Sequence, residues 1–116
     1  MSDVKTVFAF RFIADLDGHY VRLLRDATNM RIGDVENPWK DTPGRGKIVP
    51  EVNIHLWRPS AEPNDWQIDA TTRQRDYDDT AVEACRQRLT DLLPKISLTW
   101  EELIPTSATG VADEQA

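Results

Sequence analysis

Apolar and polar residues alternate along four stretches of the chain, and each alternation predicts a strand. From Val7 to Ile13, Phe8, Phe10 and Phe12 take one face, with Ala9 and Arg11 on the other. From Ile48 to Trp57, Val52, Ile54 and Leu56 oppose Asn53, His55 and Trp57, and Pro50 marks a strand start or an edge. After a turn bracketed by Pro59 and Pro63, Trp66, Ile68, Ala70 and Thr72 alternate within Asp65 to Arg73. Ile96, Leu98 and Trp100 alternate with Ser97, Thr99 and Glu101 as a fourth strand.

Two stretches carry the helix period instead. Tyr20, Leu23, Leu24, Ala27 and Met30 share one face of a helix that Asp17 caps and Gly33 closes. The competing reading of Asp17-Gly18, a hairpin turn, would mix Arg22 with Tyr20 and Leu24 on one face. Further on, Val82, Cys85, Leu89 and Leu92 form an apolar stripe. Thr80 to Glu83 fits a capping box, and Pro94 is expected to end the helix. Residues 31–47 show no period and read as a long irregular loop.

The order β-α-β-β-α-β predicts an α+β fold of the ferredoxin-like kind: a four-stranded antiparallel sheet with both helices on one face. The helix-covered face would hold Phe8, Phe10, Phe12, Val52, Ile54, Leu56, Trp66, Ile68, Leu98 and Trp100. The opposite face would show Ala9, Arg11, Ile13, Asn53, His55, Trp57, Gln67, Asp69, Thr71, Ser97 and Thr99. This mixed surface calls for cover by a second copy, by the 31–47 loop or by another protein. One domain is expected over residues 1–104, followed by a flexible acidic tail over 105–116. The element order resembles that of RNA-recognition domains and of small dimeric α+β barrels. The third strand lacks the Gly-aromatic-x-aromatic signature of the former, and neither resemblance supplies a motif.

Charge narrows the partners. The net charge is −6, and it is uneven. Residues 1–58 carry nine Lys/Arg against eight Asp/Glu, whereas residues 59–116 carry five against twelve. That acidic half disfavours nucleic acid and suits a basic protein partner. No apolar run reaches the length of a membrane helix, and the single cysteine, Cys85, fits a reducing, cytoplasmic setting.

Chemical motifs are sparse. Pro43-Gly44-Arg45-Gly46-Lys47 lacks the glycine and the Ser/Thr that a phosphate loop needs, with Asp41 and Ile48 in their places. Asp15 to Gly18 lacks the outer carboxylates of a calcium loop, since Ile13 and Leu24 hold those positions. Two histidines and one cysteine offer no metal-ligand spacing, so neither a metal nor a cofactor is expected. Asp76, Asp78 and Asp79 are explained by the positive end of a helix.

Two site hypotheses remain. Trp39, Arg45, Lys47 and Trp57 combine the residue types enriched at interface hot spots with a basic loop. They point to a non-catalytic protein–protein interaction module, a small acidic regulator or inhibitor. The alternative is a homodimeric α+β-barrel enzyme or small-ligand binder, paired through the uncovered sheet face. There Arg11, His55 and Asp69 would hold an anionic substrate and move a proton.

Overall fold

The aromatic alternation near the start of the chain forms β1 (Lys5–Ile13) in the computed structural model, which describes residues 4–37, 42–96 and 99–103. Phe8, Phe10 and Phe12 are almost completely buried. At about 25 cal/mol per Å² each contributes roughly 2–3 kcal/mol before entropy costs. Helix α1 (Gly18–Thr28) follows. The Asp17 carboxylate accepts from the N–H groups of His19 and Tyr20 at 3.0 and 3.1 Å, so Asp17-Gly18 opens a helix rather than a hairpin. The helix closes earlier than Gly33. Asn29 adopts the left-handed conformation (φ 61°), and its N–H bonds Arg25 O at 2.7 Å.

The expected irregular loop is in part sheet. Arg31–Ile32 forms β2 and Gly44–Val49 forms β3, while residues 38–41, Trp39 among them, lie outside the described residues. The expected strand Ile48–Trp57 is divided by a turn at Pro50–Glu51, leaving Val52–Trp57 as β4. Glycine explains why β3 has no apolar alternation. A Cβ on Gly46 would lie 2.9 Å from both Asn29 O and Met30 Cα, and one on Gly44 would lie 2.9 Å from Leu56 Cβ. The core-facing positions of β3 are thus bare backbone on which the end of α1 rests.

β5 (Asp65–Thr72) follows, then α2 (Asp79–Ile96) and β6 (Thr99–Leu103). The start of α2 is held by Asp78, whose carboxylate accepts from Ala81 N–H at 3.1 Å, not by a box opening at Thr80. Pro94 does not end the helix but occupies its last turn. One further step of helix buries Ile96, which therefore belongs to α2 and not to the last strand. The buried stripe is Val82, Cys85, Leu89, Leu93 and Ile96, with Leu92 only partly covered. Ser97, Leu98 and the expected tail 105–116 lie outside the described residues.

The strands form one six-stranded antiparallel sheet in the order β2-β3-β4-β5-β1-β6. This overturns the expected four-stranded ferredoxin-like sheet; the fold is α+β with two helices. Leu24 and Ala27 of α1 and the α2 stripe pack on one face with Phe8, Phe10, Phe12, Ile54, Leu56, Trp66 and Ile68. Arg58 lays its guanidinium 4.2 Å from the centre of the Trp66 ring. It also donates to the carbonyls of Val35 and Pro63, tying two loops to the core edge.

Candidate functional site

The second face of the sheet carries no helix among the described residues, and register fixes which side chains meet on it. One row crosses every strand: Arg31, Arg45, His55, Asp69, Ala9 and Leu103 are successive cross-strand partners. The next places Lys47 opposite Asn53 and Asn53 opposite Thr71. A third runs Trp57, Gln67, Arg11 and Glu101. Arg45, Lys47 and Trp57 therefore share this face, as do Arg11, His55 and Asp69.

Arg11, His55 and Asp69, the residues of the alternative ligand-binding reading, each have their own bonding. Arg11 turns to Asp65, with Nε to Oδ1 at 3.0 Å and Nη2 to Oδ2 at 2.6 Å. Ser60 Oγ donates to the same carboxylate at 2.7 Å. The Arg11 bond is the largest effect and outweighs burial, and with the Ser60 bond and the Arg11 charge it holds the Asp65 carboxyl below its ordinary pKa. Asp69 is engaged differently: Trp57 Nε1 donates to Oδ2 at 3.0 Å and Gln67 Nε2 to Oδ1 at 2.8 Å. Each oxygen thus has a donor, and neither is hydrogen-bonded to His55. Burial pushes the His55 imidazole below its ordinary pKa; the Asp69 charge pulls it up and the Arg45 charge pushes it further down. His55 is thus a neutral ring near pH 7, with no hydrogen-bonded acid to orient it as a base.

The same bonds have a second result. Trp57 is only half-covered, yet its indole N–H is anchored on Asp69, so the ring is held in one orientation on the sheet. Lys47 Nζ donates to Asn53 Oδ1 at 2.8 Å and to Pro50 O at 3.4 Å, both neutral acceptors that leave its charge uncompensated. Arg31 and Arg45 are exposed and make no hydrogen bond or ion pair among the described residues. Sequence reasoning missed Arg31, because the two-residue strand that aligns it with Arg45 has no period of its own. It also missed Asp65 as the partner of Arg11.

Elsewhere the chemistry is quiet. A cavity of about 550 Å³ between the start of α1 and residues 32–37 is lined by Leu16, Val21, Ile32 and Val35, with Asp34 and Glu36, and its described lining includes none of the expected site residues. Cys85 is buried against Ala27 O, and burial raises its thiol pKa, which keeps it in the unreactive form. No group of three or more His, Cys, Asp or Glu side chains that could hold a metal ion occurs among the described residues. None of the described helices is long and apolar enough to cross a membrane. Comparison of the chain with protein-family models, with curated proteins and with solved structures finds no match.

Proposed function

We propose that the chain is a non-catalytic protein-binding module that docks through the open face of its sheet and regulates or inhibits its partner by occupying it. The observation that carries this reading is the bonding around Asp69. It holds Trp57 in a fixed orientation for contact, while the carboxylate beside His55 is bonded to Trp57 and Gln67 and not to the imidazole. A preset aromatic ring loses little freedom when a partner covers it, which favours binding. Beside it stand three cations, Arg31, Arg45 and Lys47, without a carboxylate partner among the described residues. The net charge of −6 suits a basic partner, but complementarity acts locally, and at this end of the face it selects a partner surface that presents carboxylates.

Immobilised wild-type protein is compared with Trp57→Ala, Lys47→Glu and, as a control on the outer side of α1, Arg22→Glu, each checked for folding by circular dichroism. Proteins retained by wild type and Arg22→Glu but lost from the other two support the reading. Equal retention by all four variants refutes it.

A further inference from the structure

Arg31 and Arg45 stand directly opposite each other across β2 and β3, a placement in which like charges destabilise a sheet. Nothing among the described residues offsets it, since neither guanidinium has an ion pair or a hydrogen bond there. A local conflict of this kind is a mark of a site that is completed by something else.

The surroundings show what completes it. A cavity of about 410 Å³ beside Arg45 is lined by Thr42, Gly46, Asn53, Ile54 and His55, and among the described residues no carboxylate lines it. Asn53 gives its oxygen to Lys47, which leaves its amide NH2 group as a donor. Thr42 adds a hydroxyl. Arg45 also lines a second cavity of about 670 Å³ with Arg31, and there Asp34 is the one acid among the described residues. The first cavity therefore offers donors from Arg45, Thr42 and Asn53, and Arg45 and Thr42 are shared with the adjoining cavity that Arg31 lines, where each guanidinium presents a fork matched to an oxygen pair.

We propose that Arg31, Arg45, Thr42 and Asn53 form an oxyanion-binding site that takes a carboxylate or phosphoryl group presented by the docking partner. The site rests on the protein-binding reading for the source of the oxyanion, but its chemistry is open to small probes. His55 reports occupancy, because it faces Arg45 on one side and Asp69 on the other. A bound anion offsets the Arg45 charge and moves the imidazole pKa upward.

The test is an NMR titration of the full chain with inorganic phosphate and, separately, with succinate at constant ionic strength, following the arginine Nε–H signals and the His55 ring. Saturable shifts of Arg31, Arg45 and His55 with either probe support the site, and the stronger probe identifies the preferred oxyanion. Arg45→Gln and Arg31→Gln each weaken the apparent affinity by roughly tenfold or more, the loss of a charge-assisted bond, whereas Arg22→Gln leaves it unchanged. Both site variants also melt at or above the wild-type temperature, since each removes the like-charge pair. Non-saturating shifts with both probes, or unchanged affinity in Arg45→Gln, overturn the proposal. Saturable binding of a probe with partner retention independent of Trp57 upholds the oxyanion site and removes the protein-docking reading. Retention that depends on Trp57 with no probe bound does the reverse.

Discussion

Replacing Gly46 by alanine tests a close backbone approach between β3 and the end of α1. The added Cβ would meet Asn29 O and Met30 Cα at 2.9 Å and Asn29 C at 3.4 Å, against an ordinary carbon contact near 3.5–4.0 Å. All three are main-chain atoms at the end of α1, where Asn29 already holds a left-handed turn, so no rotamer change relieves the clash. The end of α1 and β3 must separate by several tenths of an ångström, which strains the short β2–β3 pairing at Arg31–Arg45 and Ile32–Gly44. Overpacking of this kind costs about 2–3 kcal/mol. Alanine recovers about 0.5–1 kcal/mol through a less flexible unfolded chain, for a net loss of about 2 kcal/mol. A chain of this size unfolds with an entropy of about 0.24 kcal/mol/K, so the melting temperature should fall by about 8 °C. Thermal and urea unfolding followed by circular dichroism measure it. Gly33→Ala is the control: nothing lies within 4 Å of its added Cβ, and its stability should stay within about 0.5 kcal/mol of wild type. A Gly46→Ala protein that melts within a degree or two of wild type would refute the close-approach argument.

The Arg11–Asp65 pair predicts a pH signature. Because the folded pKa of Asp65 is depressed, its stabilisation is complete above the unfolded carboxylate value near 4 and is lost as pH falls through the lower folded value. The stability gap between wild type and Asp65→Asn should therefore be constant from about pH 5 to 7 and shrink below about pH 4. Urea midpoints across that range measure the gap, and a gap that stays constant down to acid pH counts against this assignment. Cys85, fully buried on α2, should react with a disulfide reagent only through opening of the core. Its rate should be at least about a thousandfold below that of the urea-unfolded chain. Labelling at the unfolded rate without denaturant would contradict that burial.

What could be read in advance was whatever buries a side chain with a period. Phe8, Phe10 and Phe12 state the face of β1 by simple alternation, and Asp17 states the start of α1 because a carboxylate there has backbone donors to satisfy. The same logic fails at Gly44 and Gly46, where the core side of a strand is occupied by backbone and leaves no hydrophobic signal. A polar–glycine alternation, Gly44-Arg45-Gly46-Lys47, was the available clue. Pro94 misled for a different reason: the burial of Leu93 and Ile96 outweighs the loss of one hydrogen bond in a final helical turn. At the site, alternation placed Arg11, His55 and Asp69 on one face. Pairing on that face depends on register, and only the register shows that Arg11 is within reach of Asp65 while Asp69 is held by Trp57 and Gln67.

The position of β1 between β5 and β6 has a consequence for how the chain comes to be folded. The strand with the three phenylalanines precedes the other described elements in the chain, yet one of its partners begins at Asp65 and the other at Thr99. Arg11 meets Glu101 only when nearly the whole described chain is available. Contacts this distant in sequence slow folding, and during synthesis they leave an aromatic strand with both backbone edges unpaired. The newly made chain is thus at its most aggregation-prone while its central strand waits for its neighbours. Translation speed and chaperone supply should affect the yield of this protein more than substitutions in α2 that leave its stability unchanged.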